Sequence, residues 1–132
     1  MASVEAAAQL RGSDFDGPAI LIKITNVDSS VLRSRYGLYE RVRREWAVSL
    51  DRVRNIRLAL GVHDGKVVEV YRVAGWFHTG EIMRPDGDFP PAECRVEFVG
   101  NLASEELRER YKDRLVTDLF HGQNPIRYVG GA

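Results

Sequence analysis

"RLALGVHDGKVVEVYRV" occupies residues 57–73, and the dipeptide at its centre decides how the chain is read. Asp64-Gly65 suits a type I′ turn, whose two central residues both need positive φ, so the flanking runs become two antiparallel strands. Pairing outward from the turn sets His63 against Lys66, Val62 against Val67, Gly61 against Val68, Leu60 against Glu69, Ala59 against Val70, Leu58 against Tyr71 and Arg57 against Arg72. Directly opposed residues share a face. One face then carries Leu58, Leu60, Val62, Val67 and Tyr71, and the other carries Ala59, Gly61, Val68 and Val70. Both are largely apolar, which implies a sheet covered on both sides or curled into a partial barrel. The same register brings Arg57 and Arg72 together, a repulsive pair unless an acid or a bound anion lies between them.

Other elements follow on either side of the hairpin. "AILIKIT" (19–25) is a β-branched, nearly continuous apolar run that reads as a buried, central strand. "NVDSSVLRSRYG" (26–37) offers Asp28, Ser29 and Ser30 as caps for a short helical turn. "LYERVRREW" (38–46) places Leu38, Val42 and Trp46 on one helical face, with Arg41 and Arg44 on the opposite one. Beyond the hairpin, "AGWFHTGEIMRPDGDFPPAE" (74–93) reads as a long loop and "CRVEFVG" (94–100) as a strand. "SEELRERYKDRLVTDLF" (104–120) repeats Leu107, Tyr111, Leu115 and Leu119 at steps of four behind a Ser104 cap, which predicts a C-terminal helix. "PIRYV" (125–129) closes the chain as an edge strand, the place where Pro125 is tolerated. The expected fold class is α+β: a small mixed sheet, strongly curved or barrel-like, with two to three helices packed on it. Residues 1–17 read as a flexible lead-in and residues 18–132 as a single domain.

Composition narrows the function. The chain has 132 residues, 44% hydrophobic and 29% charged, as in ordinary soluble domains. A single cysteine, Cys94, excludes an internal disulfide and a Cys-rich zinc site. No apolar run approaches the roughly 20 residues of a membrane helix, and the N-terminus lacks a secretion signal, so a cytoplasmic protein with no membrane partner is expected. Cys94 reads as a small buried residue rather than a nucleophile, and Asp86, Asp88 and Glu93 lack calcium-loop spacing. His63, His78 and His121 are scattered, no phosphate-cradling glycine motif occurs, and neither a metal nor a cofactor is expected.

The net charge is zero, yet residues 31–60 hold eight basic and three acidic residues, against two and five in residues 81–101. A local basic field of this kind attracts polyanions even on a neutral molecule. Sixteen of the nineteen basic residues are arginines, whose planar fork suits phosphate. The candidate nucleic-acid contacts are Arg35, Arg41, Arg43, Arg44, Arg52, Arg54, Arg57 and Arg72. Charges on an outward face also serve solubility alone, and Trp46, in its apolar stripe, reads first as a core anchor.

The spaced segments "LIKIT", "LYERVRREW", "GVHDGKVVEVYRVAGW", "RVEFVG" and "GQNPIRYVG" resemble a family of small, largely uncharacterised bacterial domains, some accompanying GIY-YIG-type nuclease modules. The match spans residues 19–130. "RYGLYE" and "IRYVGG" are not the paired strands of that nuclease, so the resemblance implies no catalytic residue. The order of strand, Ser-rich turn, short helix, Trp and hairpin is also similar to the PUA-like group, EVE and YTH domains included, with Ile24, Ser29, Trp46 and Ser49 at matching points. That resemblance implies a reader of modified or flipped bases: Trp46 and Trp76 as an aromatic cage, Asn26 and Ser49 as polar contacts, and the arginines as a backbone clamp. Two functions emerge. The first is a non-enzymatic nucleic-acid-binding domain for DNA or RNA; the alternative is an accessory domain that docks an acidic protein such as a companion nuclease.

Overall fold

The computed structural model describes residues 9–84, 87 and 95–132. Five strands form one sheet: β1 (Ala19–Lys23), β2 (Leu58–His63), β3 (Lys66–His78), β4 (Val96–Leu102) and β5 (Ile126–Val129), in the order β4-β3-β2-β1-β5. Only β1 and β2 run parallel, joined by the helical crossover of α1 (Ser29–Arg33), α2 (Arg35–Arg43) and α3 (Leu50–Val53). A fourth helix, α4 (Glu105–Tyr111), follows β4. The fold is therefore α+β with a mixed sheet, β1 lies inside it, and β5 is the edge strand expected of "PIRYV".

The hairpin turn is as read, with Asp64 and Gly65 at φ 52° and 74°. Its register differs. A bulge shifts the pairing between Gly61 and Val62, so that Gly61 faces Glu69, Leu60 faces Val70, Ala59 faces Tyr71 and Leu58 faces Arg72. One extra residue in β3 reverses the alternation beyond it, and Tyr71 moves to the face opposite Val67 and Val70. Arg57 and Arg72 are consequently not opposed; the Arg57 carbonyl instead accepts from Val73 N at 2.9 Å.

Both sheet faces are covered, which removes the need for curling, and the sheet is open rather than barrel-like. On one face, Ile20, Ile22, Tyr71, Val73, Trp76 and Phe98 pack against Leu38 and Val42 of α2 and against Val53 and Ile56. Gly61 lets α2 lie close, because a Cβ there would sit 2.8 Å from Val42 Cγ2. On the other face, Leu21, Leu60, Val62, Val67 and Val70 meet Leu10, Phe15, Tyr111 and Val116. Leu10 and Phe15 are buried, so folded structure begins before Pro18 and the expected lead-in is too long.

Two helices stop early, each two residues before a left-handed one. α2 ends at Arg43, and Glu45 at φ 71° turns Trp46 out of the helical stripe into reciprocal 2.9 Å hydrogen bonds with Val96 at the outer edge of β4. α4 ends at Tyr111, and Asp113 at φ 68° redirects residues 113–116 along the hairpin turn. There Val67 N donates to Arg114 O and Val116 N to Gly65 O. The unpaired edge of the hairpin wins over further helix, so Leu115 and Leu119 leave the line of Leu107 and Tyr111. β3 also continues through "AGWFH", against the loop expected there, because β4 pairs with it as far as His78.

Candidate nucleic-acid interface

The structure sorts the eight candidate arginines by what neutralises them. Arg43 is 3% exposed and belongs to the interior. Its Nε donates to Glu40 at 2.9 Å and its Nη1 to Glu97, which is fully buried, at 3.3 Å. Burial alone would lower the Arg43 pKa, but the hydrogen bonds and charge of Glu40 hold it above its ordinary value. Glu97 is also approached at 3.5 Å by Arg84, which makes a 2.6 Å ion pair with Glu45. This network ties α2, the edge strand β4 and the segment after β3 together, so Arg43 is unavailable to a phosphate. Arg44 binds Glu40 through both its carbonyl and its carboxylate.

Other arginines are held by the backbone or by rings. Arg41 donates to Thr25 O at 3.1 Å and lies 5.9 Å from the Trp46 ring centroid. Arg52 stacks 3.9 Å from the Tyr128 ring centroid and donates to Ala132 O. Arg35 is exposed at the start of α2, away from the clefts described next.

Arg54, Arg57 and Arg72 come together around a second irregularity of the sheet. Between Val73 and Gly75 the β3–β4 register shifts, leaving Ala74 exposed at a bulge. One cleft, of about 880 Å³, runs from Arg57 and Arg72 over Val73 and Ala74 to Gly100 and Asn101. An adjoining one, of about 340 Å³, holds Leu50, Arg54, Gly75 and Trp76, and shares Arg57. Arg57 and Arg72 are both exposed, and neither has a carboxylate within ion-pair distance among the described residues. Arg57 is steadied by a 2.8 Å hydrogen bond from Nη1 to Arg54 O. Arg54 pairs with Asp51, but both side chains are exposed at 62% and 89%, and such pairs contribute about 0–1 kcal/mol. A phosphate can replace Asp51 at little cost.

The four residues assigned to a base pocket lie apart. Trp76 is 8% exposed, donates from Nε1 to Ile56 O at 2.9 Å and packs edge-on against Phe98 at 5.2 Å. Trp46 is half-buried, donates from Nε1 to Val42 O at 2.7 Å and lines a different cleft with Glu40, Arg41, Arg44 and Glu45. Ser49 caps α3 by accepting from Arg52 N, and Asn26 is an exposed left-handed residue after β1. Sequence reasoning missed Ala74, Gly75 and Asn101, since nothing in the residue pattern marks a bulge whose neighbours are apolar.

Among the described residues, no group of three or more His, Cys, Asp or Glu is placed to hold a metal ion, and no helix is long and apolar enough to cross a membrane. Cys94, Asp86, Asp88 and Glu93 lie outside the described residues. Compared with known proteins, the chain matches no family model, no curated protein and no solved structure.

Proposed function

We propose that the protein is a non-enzymatic nucleic-acid-binding domain whose contact surface is the pair of clefts around Arg54, Arg57 and Arg72. One observation carries this reading: two exposed guanidiniums without acidic partners among the described residues line one concave surface, while Arg43 and Arg44 are neutralised internally. Unpaired cations in a groove raise the local concentration of polyanions, and phosphate contacts supply most of non-specific nucleic-acid affinity. The PUA-like version of the idea draws support from element order alone, because a base-reading cage needs Trp46 and Trp76 in one pocket and they line separate clefts.

The test is a fluorescence-anisotropy titration against single- and double-stranded DNA and RNA at roughly 50 and 200 mM salt, the range over which phosphate contacts weaken. The reading expects binding at the lower salt that declines at the higher and is weakened at least tenfold in the folded double variant Arg57→Ala/Arg72→Ala. Absence of binding at low salt, together with capture of an acidic protein through the same arginines, would replace it with the accessory-domain reading.

A further inference from the structure

The lining of the two clefts bears on what part of a nucleic acid they recognise. Base identity is read by side-chain donors and acceptors on base edges and by aromatic faces beneath bases, whereas phosphate contacts fix position without sequence information. Around Arg54, Arg57 and Arg72 the surface is made by Leu50, Val73, Ala74, Gly75, Val99 and Gly100, none of which has a polar side chain. Asn101 is the one amide in the lining; its Oδ1 already accepts from Leu102 N at 2.8 Å, which leaves Nδ2 as its donor. Trp76 lines the smaller cleft but is 8% exposed, with its Nε1 committed to Ile56 O and Phe98 against its ring, so little of it is open to stack on a base. Among the described residues, the exposed large aromatic is Tyr36 on α2, which lines neither cleft.

From this we infer that the site, given the nucleic-acid reading on which the inference rests, faces the bases with little besides its three guanidiniums and commits these to the sugar-phosphate backbone, so that it is blind to the bases. The small residues at the bulge let the backbone come close, and the cations set affinity. Three phosphate contacts at about −0.9 each give a slope of log K against log salt near −2.7 on duplex DNA, and about −2.1 on a single strand. Raising salt fourfold then weakens duplex binding about 40-fold, and a variant with one remaining contact loses only about 3-fold. Base modification has no effect on either number.

The experiment compares three probes of equal length by anisotropy: an ordinary DNA single strand, the same strand with methylated bases, and a strand of tetrahydrofuran abasic units carrying the same phosphates. Expected is affinity equal within about twofold for all three, with the same salt slope, and a shallower slope in Arg57→Ala/Arg72→Ala. A tenfold loss on the abasic strand, or a tenfold preference for the methylated one, would overturn base-blindness while leaving nucleic-acid binding in place. Binding to none of the three overturns both readings. Binding with a slope unchanged in the double variant overturns the assignment of the site.

Discussion

Replacing Arg43 by alanine should unfold the protein's edge rather than weaken a ligand. The side chain makes hydrogen bonds of 2.9 and 3.2 Å to Glu40 and one of 3.3 Å to Glu97. Glu40 keeps solvent and Arg44, but Glu97 is fully buried and retains only Arg84 at 3.5 Å, an arginine whose shorter bond goes to Glu45. Removing one partner of a buried ion pair costs about 3–5 kcal/mol, because the remaining charge is left in a poor environment. The partial support from Arg84 places the expectation near the middle, at about 4 kcal/mol. For a chain of this length that is a fall in Tm of roughly 10–20 °C. Urea denaturation of wild type, Arg43→Ala, Glu97→Ala and the double variant forms a thermodynamic cycle, and the two single losses should exceed the double loss when summed, with a coupling of at least about 1.5 kcal/mol. A loss below about 1 kcal/mol in Arg43→Ala, or additive losses, would refute the claim that Arg43 is a structural cation.

Three further substitutions test other links. Burial of Glu69 by itself raises its pKa, but the Arg108 hydrogen bond, the Val70 amide and the charges of Lys112 and Arg108 outweigh burial and hold it below the ordinary value. A depressed carboxylate contributes stability above its unfolded pKa, about 4.3, and loses it as pH falls through the folded value. Glu69→Gln should therefore cost about 1.5 kcal/mol at pH 7, with the gap to wild type closing below about pH 4 in denaturant melts. Trp76→Phe leaves the buried Ile56 carbonyl only the 3.4 Å bond from Arg57 Nη1 and should cost about 1–2 kcal/mol in the same melts. Gly61→Ala puts a methyl 2.8 Å from Val42 Cγ2 and should lower stability by about 1–3 kcal/mol in the same melts.

What was legible in the sequence was whatever local chemistry determines. Asp64-Gly65 announced its turn, "AILIK" its buried strand, and "IRYV" behind Pro125 its edge position. The two-sided apolar hairpin left a covered sheet and a partial barrel equally open, and the sheet is the covered, open one. The misreadings have one origin, competition from partners distant in sequence. Val68 sits at a bulge whose need arises from neighbouring strands, so strict alternation assigned Tyr71 to the wrong face. The four-residue periodicity through Leu115 was overruled by the hairpin edge, whose backbone groups needed bonds. The arginines show the same effect. Charge density pointed to a basic region, but one of the two carboxylates that claim Arg43 lies 54 residues away inside an apolar strand. Only the folded chain separates Arg57 and Arg72, which have no acidic partner among the described residues, from Arg43, which has two.

The location of the binding face is the central claim, and amide chemical-shift mapping tests it most directly. A uniformly ¹⁵N-labelled sample is titrated with a short DNA single strand at low salt. The account predicts that the largest shifts fall at residues 54–57, 72–75 and 99–101, around the β3 bulge and its arginines. Shifts concentrated instead at residues 40–46 around Trp46, or an unchanged spectrum at saturating strand, would contradict it.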